Sequence, residues 1–520
     1  MLFDFSIDRG GTFTDIYCEI SNAVTGEHRP YVTKLLSVDP LNYADAPTEG
    51  IRRVLSQFGT LGEITRDEKI PTAEIRSIRM GTTVATNALL ERKGDRVALL
   101  ISEGLRDTLE IGNQARPKIF DLEIKTPTPV YERVIEVKGG RLRPLHDCES
   151  VDSNDFEVVH GTNNQKYVQE EALNLDELRR ELTEVWDDGK ITSLAIVLMH
   201  SYAHPDQEEA VEKLARQVGF TQISLSSKVM PRVKLVERGQ TCCVDAYLNP
   251  HIFRYLASFV RGFDEQLHSR VQVFFMQSDG GLAPVDKFTG SKAILSGPAG
   301  GVVGYSTTSR LSQMRSGVAE LSPVIGFDMG GTSTDVSRYH FDYEHIFETE
   351  IAGTSIQAPQ LNINTVAAGG GSRLTYEKGL YKVGPESTGA DPGPVCYRKK
   401  GGALAVTDAN LILGRLLPQH FPKIFGPNED EPLDKELATS EMQALTQQIN
   451  AENGTNVTVQ EVALGFIKVA NEAMSRPIRS LTQGRGYNPK NHILDVFGGA
   501  GAQHACAIAK GLGISKVYIH

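Results

Sequence analysis

The sequence predicts an α/β protein of two lobes, and three observations carry that expectation. One eight-residue pattern occurs twice, as DRGGTFTD from Asp8 to Asp15 and as DMGGTSTD from Asp328 to Asp335, with six of its eight positions identical. Each copy follows an apolar run (LFDFSI, then PVIGF) and precedes a second strand-like run, which reads as strand, glycine turn, strand. At 520 residues the chain exceeds a single core, and its 49 glycines with 7% aromatics fit a globular α/β enzyme rather than a disordered chain.

The repeated pattern has the chemistry a phosphate needs. Adjacent glycines let the backbone adopt positive φ and approach an anion with no Cβ in the way. Successive N–H groups then form a nest, and threonine hydroxyls add donors. Candidate nucleotide contacts are therefore Gly10, Gly11, Thr12 and Thr14 in the first copy, and Gly330, Gly331, Thr332 and Thr334 in the second. Asp8 and Asp328 are the candidate catalytic and Mg²⁺-holding carboxylates. One copy alone would fit a plain hairpin turn equally well. Two matched copies favour a pair of phosphate loops.

From the N-terminus, strands are expected at Leu2–Ile7, Asp15–Ile20 and Tyr31–Leu36, then a helix over Ala44–Phe58. Residues 75–102 read as strand, turn, helix (Val84–Arg92), a stop at Gly94, and strand. The turn puts Thr82 and Thr83 at a helix N-terminus, with Asn87 one turn on. That fits a polar-substrate site or a simple helix cap. Residues 112–170 are polar and broken; Tyr131–Val137 reads as a strand within them, and Asp147–Glu170 as a loop or surface insertion. Helices follow at Leu175–Asp188 and Pro205–Gly219, around a buried strand at Ser193–Met199. A domain boundary is expected within 205–235, dividing the chain into 1–212 and 230–520.

Beyond it, Glu237–Tyr247 and Pro250–Leu267 read as two helices and Val271–Met276 as a strand. ILSGPAGGVVG reads as strand, turn and helix, its glycines serving either packing or a ligand. AAGGGSR suits a loop that lets a small acid or a phosphate approach the backbone, with Arg373 supplying charge. Further helices are expected at Ala409–Leu416, 434–450 and 459–483. The strand Ile493–Phe497 runs into Gly498-Gly499-Ala500-Gly501, where Gly498, Gly499 and Gly501 are candidate adenosine contacts.

Two such hairpins with a late Gly-Gly-x-Gly resemble the actin-like ATPase superfamily of sugar kinases, acetate kinases and heat-shock chaperones. The finer match is narrower. IDRGGTFTD, MGTTVATNALLERKG, FMQSDGGLAP, LSGPAGGVVG, FDMGGTSTDV, AAGGGSR, GADPGPVCY, TDANLILGRL and FGGAGAQHACAIA together look like the hydantoinase A / ATP-dependent 5-oxoprolinase family, most like its single-chain eukaryotic type. These motifs run along the whole chain. The resemblance implies a two-lobed fold with ATP and Mg²⁺ in the cleft. It implies ATP-driven opening of 5-oxo-L-proline to L-glutamate, a step of glutathione metabolism, or of another cyclic amide such as a hydantoin. It places the lactam near Thr82, Thr83, Asn87 and Arg373. Full-length relatives continue further, so the last part of the second lobe is expected to be missing. A hydantoinase B-like half, fused or separate, is the expected partner, and a homodimer the expected assembly. Readings as another actin-like kinase or as a non-catalytic ATP-binding module stay open.

The net charge of −11 argues against nucleic acid or an anionic membrane as the main partner. The six cysteines have no CxxC spacing, and no apolar run reaches the ~18–20 residues of a membrane span. With no secretory leader at Leu2, a cytoplasmic location is expected.

Overall fold

The computed structural model describes residues 1–22, 24–112, 122, 128–146, 149, 156–351 and 354–520. Two large sheets repeat one strand order. In the first, Leu2–Arg9 is central. It pairs antiparallel with Phe13–Ser21, which pairs with His28–Leu36; on its other side lie Ile75–Thr82 and Gln272–Met276, both parallel. In the second, Val324–Met329 takes the central place. Thr334–His340 and Asp342–Tyr343 continue antiparallel on one side, and Ile493–Phe497 and Lys516–Ile519 parallel on the other. Each glycine pattern is thus the hairpin that opens a sheet, as its alternating apolar flanks require. The fold is α/β with two lobes, as expected.

Each lobe has its own core. Phe3, Phe5 and Ile7 sit in the first, and Ile325, Phe327 and Met329 in the second. Ion pairs tie the lobes together beside the cleft: Arg53 to Glu429 at 2.9 Å and Lys399 to Asp39 at 3.2 Å. A smaller parallel sheet runs Gln222–Leu225, Ser193–Val197, Val97–Ser102, Arg133–Val137. No helix among the described residues is long and apolar enough to cross a membrane.

Several expectations need correction. Gln272–Met276, beyond the boundary expected within 205–235, pairs with Ile75–Thr82 and completes the first sheet. Glu237–Tyr247 and Pro250–Leu267 are not two helices. One helix spans Leu235–Arg261 with Pro250 inside it. Its buried first half, with Cys242 and Cys243 fully in the core, outweighs the one backbone bond that proline removes. Ile294 and Leu295 form no strand; the helix Ser296–Arg315 starts at the turn itself. Of Asp147–Glu170, part lies outside the described residues. Glu157–His160 and Lys166–Gln169 pair there into a small antiparallel sheet with Leu142–Pro144.

Candidate nucleotide and phosphate site

The hairpins close alike. Gly10 N–H donates to Phe13 O at 3.0 Å, and Gly330 N–H to Ser333 O at 3.0 Å. In register, Asp8 faces Asp15 and Asp328 faces Asp335. Directly opposed residues of an antiparallel pair share one face of the sheet. Each hairpin therefore presents two carboxylates on one side, and the two sides meet. All four line a single cavity between the lobes, where Lys34 is the one basic side chain among the lining residues.

The tips also dock reciprocally. A methyl group on Gly331 would overlap Thr12 Oγ1, and one on Gly11 would meet Thr332 Oγ1 at 3.1 Å. Thr12 of one hairpin lies over Gly331 of the other, and Thr332 over Gly11. None of Gly10, Gly11, Gly330 and Gly331 has positive φ. The expected conformational reason is therefore wrong at these positions; what they supply is the missing Cβ. Thr12 Oγ1 is buried at this junction with no hydrogen-bond partner among the described residues.

Four clustered carboxylates repel one another. Burial first, then the Asp15 charge, pushes Asp8 up to about 6, with Asp335 adding to the rise and Lys34 opposing it. Asp8 is exposed to the cleft although protein walls its other sides, so cleft water screens part of this repulsion. Burial raises Asp335 to about 6, against a hydrogen bond from Thr365. Asp328 is driven well above the ordinary carboxylate range by burial, then by Asp335, Asp8 and Asp15. Such a cluster calls for a cation. Among the described residues no three His, Cys, Asp or Glu side chains form a ready-made metal cage. Mg²⁺ does not need one: it keeps several waters and takes one or two carboxylates plus phosphate oxygens. The donor set fits that ion.

The candidate residues divide clearly. Asp8, Gly10, Gly11, Thr12, Asp328, Gly330, Gly331, Thr332, Gly498, Gly499 and Thr83 line the cavity. Gly498 has φ +78°, and a methyl group there would meet Met329 O at 2.6 Å. Thr14 and Thr334 do not line it. Both are fully buried and brace the turns, Thr14 Oγ1 lying 3.0 Å from Ser37 Oγ and Thr334 Oγ1 donating to Ala368 O at 2.5 Å. Gly501 is a packing glycine, where a methyl group would meet Val496 Cγ1 at 2.9 Å. Thr82 is buried, its hydroxyl accepting from Val84 N–H at 3.2 Å; the cap position of the helix Val84–Leu90 is Thr83, whose side chain makes no capping bond. Thr83 Oγ1 accepts from Asn87 Nδ2 at 3.2 Å, which puts Asn87 just behind the first hairpin.

Arg373 stands apart from the cavity. It is exposed and pairs with Glu386 at 2.6 Å, outside the cavity lining. Of the glycines before it, Gly370 lines the cavity beside Gly330 and Gly331. Gly370 N–H and Gly371 N–H donate to Gly330 O at 2.9 Å and Gly331 O at 2.6 Å, so this loop buttresses the second hairpin.

Sequence reasoning missed several lining residues. Asp15 and Asp335 carried a signal, being present in both copies. Lys34 carried none, because only the register that pairs it with Asp15 brings it to the cleft. Its ammonium forms an ion pair with Asp15 and stands 4.8 Å over the Phe13 ring. Phe13 also bridges to the second lobe, with ring centroids 6.1 Å from Tyr397 and 6.2 Å from Phe421. These three rings give one end of the cavity an apolar wall.

Comparison with known proteins places this geometry. The family model described as "Hydantoinase/oxoprolinase" matches residues 238–520, and its "N-terminal region" model matches residues 4–219. The 5-oxoprolinase 1 of Arabidopsis thaliana is 54% identical over 99% of this chain, which covers 40% of that protein. The crystal structure of an ATP-dependent caprolactamase from Pseudomonas jessenii is 26% identical with TM-score 0.66, covering 99% of this chain and 68% of its own. Nucleotide-free acetone carboxylase shares the fold at TM-score 0.72 and 21% identity, over 99% of this chain and 68% of its own. The chain spans about 40% of the length of the curated 5-oxoprolinases it matches.

Proposed function

This chain belongs to the hydantoinase/oxoprolinase family, and from that premise we propose that it binds ATP between its hairpins and transfers the γ-phosphoryl group to the oxygen of 5-oxo-L-proline. The observation that carries this reading is the reciprocal docking of the tips, with the buried, unpartnered Thr12 hydroxyl between them. A phosphate oxygen entering there would take that hydrogen bond, and the Thr332 hydroxyl would face it from the other lobe. Asp8 and Asp328 would hold Mg²⁺, directly or through water. The ion, when bound, would neutralise charge developing on the transferred group. Lys34 would offset the remaining carboxylates, and the apolar wall of Phe13, Tyr397 and Phe421 would take the flat face of the base. Catalysis then rests on positioning and charge rather than on a covalent enzyme intermediate.

The acceptor needs this activation. A lactam is a resonance-stabilised amide with a poorly electrophilic carbon. In the transfer, the lactam oxygen forms a bond to the γ-phosphorus as the bond to the ADP oxygen breaks. Water would then add to the ring carbon, the C–N bond would break with the nitrogen leaving as the amine, and a second water would release inorganic phosphate from the carboxyl so formed. That hydrolysis, and release of glutamate, would need a hydantoinase B-like half, and the whole would work in the cytoplasm.

The test is ADP release from ATP and Mg²⁺, with and without 5-oxoproline, for the wild type and Asp328→Ala. Stimulation by 5-oxoproline that Asp328→Ala abolishes supports the reading. Stimulation only by a hydantoin would move the substrate to that class. Nucleotide binding with no lactam-dependent release, even with the hydantoinase B-like half supplied, would leave an ATP-binding module.

A further inference from the structure

Asp8 sits between unlike neighbours. Across the first sheet its register partners are Gly81 on one side and Asp15 on the other, and Asp15 in turn faces Lys34. Neighbouring strands lie about 4.8 Å apart, so this row spans the cavity that Asp8, Asp15 and Lys34 line. At the Lys34 end stands the aromatic wall, with the ammonium over the Phe13 ring and that ring against Tyr397 and Phe421. At the other end, just past Gly81, the lining residues are Thr83, Gly297 and Pro298.

Gly297 and Pro298 lie in the first turn of the helix Ser296–Arg315, which passes both hairpins. A methyl group built on Gly297 would lie 3.6 Å from Asp8 Oδ1, and one on Gly301 would lie 3.7 Å from Asp328 Oδ2. The fold asks different things of these two glycines. At Gly301 the methyl group would also overlap Phe497 Cε2 at 2.6 Å, so close packing requires glycine there. At Gly297 the nearest atom among the described residues is Thr83 Cγ2 at 3.5 Å, followed by Asp8 Oδ1 and by Thr82 C at 4.0 Å. These are ordinary contacts, and φ at Gly297 is not positive. Neither packing nor backbone conformation explains glycine at this position. What the missing side chain leaves is room in the cavity beside Asp8, the Thr83 methyl group and Pro298.

We propose that the acceptor lactam lies in this room, and that Gly297, by having no side chain, is a specificity-determining residue for it. This rests on the reading that the chain activates a lactam with ATP. With the base on the aromatic wall and Mg²⁺ held at Asp8, the attacking oxygen approaches the γ-phosphorus roughly in line with the leaving ADP oxygen, from the far side. The far side of Asp8 from the aromatic wall is the end lined by Thr83, Gly297 and Pro298. A saturated lactam ring is apolar apart from its amide edge, and the Thr83 methyl group and Pro298 offer it apolar surface, as small-molecule pockets do.

The experiment is calorimetric titration in Mg²⁺ by a non-hydrolysable ATP analogue, then by 5-oxoproline in its presence, for wild type, Gly297→Ala and Gly304→Ala. Gly304 lies about two turns further along the same helix, outside the cavity lining, with nothing within 4 Å of an added methyl group. Alanine is the better helix former, so both variants should melt no lower than wild type. In Gly297→Ala the dissociation constant for 5-oxoproline should rise about 10- to 100-fold, the range for overpacking a filled site. Binding of the ATP analogue should stay within about twofold, inside ordinary context scatter. Gly304→Ala should bind both ligands as wild type does. Unchanged 5-oxoproline binding in Gly297→Ala, or an equal loss of the ATP analogue, overturns the proposal and leaves lactam activation standing. A lower melting temperature for Gly297→Ala would show that packing does require the glycine, and overturns it as well. Wild type that binds the analogue but not 5-oxoproline would overturn both the proposal and the lactam reading.

Discussion

The first hairpin and the second share Asp, Gly, Gly, Thr, Thr and Asp at matched positions, and each shared residue does the same job in its lobe. The outer Asp pairs face each other across the strands, the inner glycines admit the opposite threonine, and the second threonines brace the turns. The differences lie elsewhere. Arg9 stands where the second lobe has Met329. Lys34, opposite Asp15, stands where the second lobe has Thr365, opposite Asp335. The tip residue Phe13 reaches over to the other lobe, where its counterpart is Ser333. Identity at six positions builds a symmetric phosphate clamp. Lys34, the one basic side chain lining the cavity, comes from the first lobe and has no charged counterpart in the second.

Substitutions sort by which part of this comparison they touch. Asp8→Asn and Asp328→Asn act on the shared part and should each lower lactam-stimulated ADP release by about a thousandfold, the upper range for removing one preorganised charge-stabilising group. A large loss from only one of them would break the symmetry claim. Gly331→Ala drives a methyl group into Thr12 and should cost about 2 kcal/mol in denaturant-melt stability, as overpacking does. Gly11→Ala, with Thr332 Oγ1 at 3.1 Å, should cost less, and Thr12→Gly should rescue Gly331→Ala but not Gly11→Ala.

The differing positions should show smaller effects. Lys34→Met should weaken ATP binding about tenfold, roughly the value of one charged contact. Thr365→Val should change it by less than about threefold, because the Thr365 hydroxyl bonds Asp335 and brings no charge of its own to the cleft. The smallest effect expected is on stability against pH without divalent cation. The Asp335 pKa is raised from 3.8 to about 6 in the folded state. Its charge therefore destabilises the fold above pH 6, and that penalty fades as pH falls through 6 toward 3.8. Asp335→Asn should raise the Mg²⁺-free melting temperature at pH 7.5 and converge with wild type near pH 4. Mg²⁺ should stabilise wild type more at pH 7.5 than at pH 5.5.

The hairpins, their carboxylates and the late glycine turn were readable in the sequence because each is a local pattern with a strong chemical meaning. What escaped is what register and packing decide. Lys34 sits in an unremarkable strand and reaches the cleft only through pairing with Asp15. Thr14 and Thr334 belong to the motif, yet alternation along the strand turns them into the protein, away from the cleft. Arg373 follows a glycine run that looks like a ligand loop, but those glycines serve another loop's backbone. Gln272–Met276 joined the first sheet by a long-range parallel pairing that no neighbouring sequence announces. The helix through Pro250 shows burial overriding a local breaker.

The claim that two hairpins form one site is tested most directly by the stoichiometry of ATP binding. Calorimetry in Mg²⁺ should find one nucleotide per chain, with affinity weakened to a similar degree by Gly11→Ala combined with Thr12→Ala and by Gly331→Ala combined with Thr332→Ala. Two nucleotides per chain, or one that survives disruption of either hairpin, would contradict it.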